Sequence, residues 1–205
     1  MSGSRSRAIY APGAAWRGSP RARFFPRTRS LATAVAAVSL LLPQSGYAQD
    51  PKPTEYEVEA AYLSNFGRFV EWPAKPAPGE AFNVCVLGQD PFGALLDNAL
   101  KGEAIGNSPM AARRISGAEE ASSCRIVFIS SAKDAQLPGI LTALGAANIL
   151  TVSDMPAFTR RGGMIQFVID GNRVRFEINL NAAQRAGLSL SSQLLKLAVT
   201  VRRGP

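Results

Sequence analysis

Polar and apolar positions alternate most clearly between Gly162 and Leu180, where the chain reads G-G-M-I-Q-F-V-I-D-G-N-R-V-R-F-E-I-N-L. Two β-branched and aromatic runs flank Asp170-Gly171, a pair that favours a type I′ hairpin turn. That turn sets Phe167 opposite Val174 and Ile165 opposite Phe176; a turn on Gly171-Asn172 shifts the partners but keeps the alternation. Side chains alternate across a strand. Val174, Phe176, Ile178 and Leu180 therefore share a core face with Phe167 and Ile165, while Arg173, Arg175, Glu177 and Asn179 form a charged, solvent-facing surface.

Upstream, Thr54 and Glu57 make a capping box. It opens a helix whose apolar stripe (Val58, Ala61, Tyr62, Phe66, Phe69) runs to Trp72, before Pro73. Residues 81–87 read as a buried strand. Asp90 and Pro91 supply an N-cap and first-turn proline for a helix to Lys101. A short strand is expected at 111–115 and a strongly apolar one at 125–129. Ser130 or Ser131 then caps a helical stretch in which Pro138 starts the helix that Gly145 ends. Residues 148–152 make another strand, and 154–161 a turn or short helix. After the hairpin come a short helix, 181–186, and a last helix, 191–201, carrying Leu194, Leu195, Leu197, Ala198 and Val201. Strands alternating with helices and closing on a hairpin predict an α/β three-layer sandwich with a mixed sheet, ending in that hairpin and a helix.

Composition changes the picture at the amino end. The chain of 205 residues carries a formal charge of +8, which suggests nucleic acid. Residues 1–48, however, hold seven arginines and no acidic residue, leaving 16 Lys+Arg against 15 Asp+Glu in residues 49–205. The basicity belongs to the leader, and no nucleic-acid partner is expected. Arginines, then the apolar run Leu31–Leu42, then Gly46-Tyr47-Ala48 read as a secretory signal peptide over 1–48. The apolar run is short of the roughly 20 residues that span a bilayer, so stable membrane insertion of the mature chain is not expected. Residues 49–54 are a linker and 55–205 one α/β domain in the periplasm.

Cys85 and Cys124 each fall in a predicted strand. Adjacent strands could join them, and an oxidising compartment favours a disulfide; the other reading is two buried thiols. The chain contains no histidine, which removes the usual nucleophile pairs and the commonest zinc ligand. Gly88 and Gly93 have phosphate-loop spacing, but Ala94 and Leu95 stand where Lys and Ser/Thr are required. Asp90, Asp154 and Glu177 are the carboxylates near strand ends or on an exposed face, the first two better explained as helix caps. No catalytic residue, metal or cofactor is expected.

The motifs E-A-A-Y-L-S-N-F-G-R-F-V-E-W-P (59–73), V-L-G-Q-D-P-F-G (86–93), C-R-I-V-F-I-S (124–130), L-T-V-S-D (150–154), G-G-M-I-x-F (162–167) and N-R-V-R-F-E-I-N-L-x-A-A-x-x-A-G-L-x-L-S-S-Q-L-L (172–195) resemble, in order, the YfiR family. The resemblance implies a periplasmic α/β protein, often dimeric, that restrains an inner-membrane diguanylate cyclase by binding its periplasmic part. It lowers cyclic di-GMP and biofilm formation. It also implies a Cys85–Cys124 disulfide and a partner-binding segment around Phe176 and Glu177. A second cysteine pair found in some members near G-G-M-I is absent here. Strand alternation adds Arg175 and Asn179 to the expected contact residues and makes Phe176 a support beneath them. The alternative is a small-molecule sensor using the strand ends near Gly88–Asp90 and Ser130–Ser131, where α/β sheets take ligands.

Overall fold

The computed structural model describes residues 53–204, apart from 75, 76, 78 and 146. The expected signal peptide and most of the linker lie outside the described residues. Thr54 caps α1 (Glu55–Phe66) through the full capping box: the Glu57 N–H donates to Thr54 Oγ1 at 3.3 Å, and the Thr54 N–H to Glu57 Oε2 at 2.6 Å. The helix ends six residues short of Trp72, because the chain turns at Gly67 and forms β1 (Val70–Glu71). There is little room at Gly67, where a Cβ would lie 3.0 Å from Ile105 Cδ1.

The strand β2 (Phe82–Leu87) is buried along its whole length. The next helix, α2 (Ala94–Leu100), starts later than Asp90 would place it; Gly93 is its N-cap. Asp90 instead accepts the Phe92 N–H at 2.8 Å and the Arg114 Nε–H at 2.8 Å, a turn that drives Phe92 into the core against Phe128. Next come β3 (Ala104–Ile105), β4 (Ser108–Ile115), the 3-10 turn Ala118–Ser123 and β5 (Cys124–Ile129). A second 3-10 turn, Ser131–Gln136, has its first N–H groups capped by Ser130 and runs into α3 (Leu137–Leu144), with Pro138 in the first turn. Then follow β6 (Leu150–Ser153), β7 (Ile165–Asp170), β8 (Arg173–Asn179), α4 (Leu180–Arg185), β9 (Ser189–Leu190), α5 (Ser192–Leu197) and β10 (Thr200–Arg202).

Eight strands form one mixed sheet in the order β10-β8-β7-β6-β5-β2-β4-β3, and β1 pairs separately with β9. Pairing is parallel except at the β7/β8 hairpin and at β3/β4. One sheet face (Val84, Val86, Ile126, Phe128, Val152, Ile165, Phe167, Phe176, Ile178) packs with Leu63, Phe66, Leu96, Leu100, Ala183 and Leu194 of the helices α1, α2, α4 and α5. The other face (Cys85, Leu87, Val127, Ile129) packs with Ala121, Leu137, Ile140 and Leu144. These are the three layers. The final helix stops at Leu197, and the residues expected to continue it make the edge strand β10, parallel to β8.

Cys85 and Cys124 are joined by a disulfide, with Cα atoms 5.9 Å apart. Closing this loop of 39 residues stabilises the fold by about 4 kcal/mol on the chain-entropy model.

Candidate partner-binding face

The hairpin turn is centred on Gly171-Asn172, both left-handed at φ 55° and 63°, so Asp170 pairs with Arg173 and Phe167 with Phe176. This overturns the first expectation, a turn on Asp170-Gly171 with Phe167 opposite Val174 and Ile165 opposite Phe176: Ile165 pairs with Ile178, and the other register is the one adopted. Residues in successive left-handed conformations define the type I′ turn, and Asn is among the few side chains that tolerate it. At the foot of the hairpin Gly163 lies under the Phe158 ring; a Cβ there would come within 2.1 Å of it.

On the covered side of β8, Phe176 is 1% exposed. It meets Tyr62 at 5.3 Å and Phe66 at 5.4 Å, both edge-on, and pairs across the hairpin with Phe167. Such pairs add to the burial of the rings themselves. Phe176 is thus a support for β8, as alternation implies, and does not itself reach solvent.

The opposite side of β8 is polar and has no helix over it. Arg175 is half-buried, its Nη2 donating to the Leu197 carbonyl at 3.2 Å. Glu177 is also half-buried: its Oε2 accepts the Thr159 hydroxyl at 3.2 Å and lies 3.8 Å from Arg202 Nη2. Asn179 departs from the expected exposed surface. It is buried, accepting the Ala182 N–H of α4 at 3.0 Å and donating Nδ2 to the Thr159 carbonyl at 2.8 Å. Its place in the alternation is as predicted, but the 154–161 turn folds over it and α4 uses it as a cap. Asp154 caps no helix; it sits half-buried at the start of that turn.

Two exposed apolar residues lie in the segment that runs beside β8. Leu197, expected in the buried stripe of the last helix, is 52% exposed, and Val199 is 38% exposed. The chain straightens here to lay β10 beside β8, and the Val199 N–H donates to the Phe176 carbonyl at 2.9 Å. Arg175 and Glu177, with the exposed Leu197 whose carbonyl Arg175 holds, therefore combine charged and apolar groups on a fixed frame, a composition suited to another protein.

The strand ends proposed for a small ligand are largely occupied by the chain itself. Lys133 packs against Gly88, Ser130 caps the 3-10 turn, and Asp90 is held by Arg114. A larger cavity, about 600 Å3, lies at the opposite, amino ends of β2, β4 and β5, lined by Val70, Trp72, Phe82, Ile105, Ser108 and Arg125. The buried Trp72 Nε1–H has no acceptor.

Within α1, Glu59 is fully buried and neither carboxylate oxygen has a hydrogen-bond partner. Burial, reinforced by Asp154 and Glu55, pushes its carboxyl up to about 8. Burial also raises Asp154, with Glu55 adding to it. An isolated buried carboxylate is costly, so such a group keeps its proton. Among the described residues no helix is long and apolar enough to cross a membrane.

A solved structure of a conserved domain protein from Vibrio cholerae superposes with a TM-score of 0.51 at 11% identity, over 73% of this chain and 60% of that one. The ABC domain from Streptococcus pneumonia in complex with L-Trp gives 0.46 at 12% identity, over 69% of this chain and 60% of that one. The chain thus spans about 60% of the length of each, and the first likeness is one of fold alone. A family model described as YfiR/HmsC-like matches residues 56–199. That match takes in α1, the disulfide-linked strands, the hairpin and the residues flanking β8, and the chain belongs to the YfiR/HmsC-like family.

Proposed function

We propose that this protein is a periplasmic regulator that restrains an inner-membrane diguanylate cyclase by binding the cyclase's periplasmic part, lowering cyclic di-GMP and biofilm formation. Family membership supports a regulatory role in general. The observation that carries the docking site is the half of the sheet left without a helical layer, where Arg175 and Glu177 stand beside the exposed Leu197. Charged groups supply orientation and an exposed apolar neighbour supplies burial. Asn179 lies on the same side but under the 154–161 turn, where it borders this face and caps α4, and Phe176 is the packed support under the strand.

Replacing Glu177 by Arg tests it. Calorimetric titration of the purified protein with the periplasmic part of a candidate cyclase should show at least a tenfold loss of affinity, about 1.4 kcal/mol, with thermal unfolding little changed. Equal binding by the variant refutes this face. A pull-down that recovers no cyclase from cells refutes the partner.

A second reading, a small-molecule sensor, is favoured by the cavity at the amino ends of β2, β4 and β5, with its unpaired Trp72 indole N–H. The same titration run with Trp72→Phe separates the two: the sensor reading requires loss of a ligand response while cyclase binding persists.

A further inference from the structure

A cleft opens where β8 and β10 meet the Thr159–Gly162 turn and the end of α4. Its walls carry Arg160, Arg185, Arg202 and Arg203 with Thr159 and Asn179, around about 570 Å3. Four arginines from three separate segments, the 159–162 turn, the end of α4 and the end of β10, thus line one concavity. Of these, Arg202 alone has a described carboxylate, Glu177, at 3.8 Å, and its Nε is buried without an acceptor. Arg160, Arg185 and Arg203 make no ion pair or side-chain hydrogen bond with any described residue. The neighbouring Arg161 differs: it points away, paired with Asp134.

Like charges gathered in a concave site raise the local potential and repel one another, a cost that a counter-charge removes. The guanidinium fork matches the oxygens of a phosphoryl group two at a time. The floor is rigid, since Asn179 is held at both ends of its amide by Thr159 and Ala182. The arginines surround a hollow and not a flat surface, which suits a small, compact anion better than a protein face.

We propose that this cleft binds a small phosphorylated anion, through Arg160, Arg185, Arg202 and Arg203. A soluble phosphorylated molecule and an anionic lipid headgroup present the same chemistry. The proposal does not depend on the cyclase, and its test uses no protein partner.

Pyrophosphate is the probe. At low ionic strength it should raise the melting temperature of the purified protein and give a measurable binding heat that weakens as salt is added. The double variant R160Q/R185Q should lose at least tenfold in affinity. Neither side chain makes a described contact, so its melting temperature without pyrophosphate should match the wild type. R113Q, on β4 away from the cleft, should bind as the wild type does. Pyrophosphate binding alone assigns a soluble ligand. Added co-sedimentation with phosphatidylglycerol but not phosphatidylcholine vesicles, lost in R160Q/R185Q, assigns a headgroup. No pyrophosphate effect on the wild type, or an equal effect on R160Q/R185Q, overturns the proposal.

Discussion

The same face of the one sheet behaves differently at its two ends. Across β2 and β5 it presents Cys85, Leu87, Val127 and Ile129, each 0% exposed beneath α3 and the 3-10 turns. Across β7, β8 and β10 it presents Gln166, Arg175, Glu177, Asn179 and Arg202. The reverse face is apolar from β2 through to β8. A strand covered on both sides reads as a continuous apolar run, and one covered on a single side alternates. The change from F-N-V-C-V-L to R-V-R-F-E-I-N therefore marks where the third layer stops. The face proposed for docking sits where it stops.

The sharpest way to break this comparison is to remove what holds the uncovered half from below. Phe176→Ala should cost about 3–5 kcal/mol, read by urea denaturation. A loss below about 1 kcal/mol would show that the aromatic cluster does not hold β8. Removing the covered half's staple should cost slightly less: Cys85→Ala with Cys124→Ala lowers stability by about 4 kcal/mol or less. Denaturation of oxidised and reduced protein with coincident midpoints would contradict that.

The buried acid of α1 gives a smaller effect with a definite sign. Glu59 holds its proton up to about pH 8 in the folded protein, against an ordinary value of 4.5. Unfolding between these values releases a proton, so stability is greatest below about pH 4.5, falls as pH rises and levels off above about 8. Melting temperatures of Glu59→Gln should lack most of that decline. The same slope in variant and wild type would locate the titration elsewhere. The least effect belongs to the exposed side of β8. Glu177→Gln should change stability by under about 1 kcal/mol, since its contact with Arg202 is long and partly solvated; a larger loss would make Glu177 part of the scaffold instead of the docking face.

Much of this was legible in the sequence, for physical reasons that also explain the failures. The capping box at Thr54, the start of α3 at Pro138 and the alternation of β8 are local, set by a few neighbouring residues. The hairpin register was not fixed, because Asp170-Gly171 and Gly171-Asn172 are both good type I′ pairs. β1, β3, β9 and β10 were missed since two or three residues carry no period and exist only through their partners, as in Val70 opposite Leu190. The same pairing cut α1 short of Trp72. Asn179 obeys the period of its strand, yet a turn twenty residues earlier in the chain covers it. The arginine cleft had no signature, because its residues come from stretches over forty positions apart.

The position of β10 carries a consequence for how the molecule comes together. Residues 82–153 contain β2 through β6, α3 and both cysteines, so a chain delivered amino end first can assemble and oxidise its closed half early. Its other half cannot be finished then, because the strand that flanks β8 is residues 200–202, after every other strand of the sheet in chain order. The face proposed for docking therefore matures after the closed half.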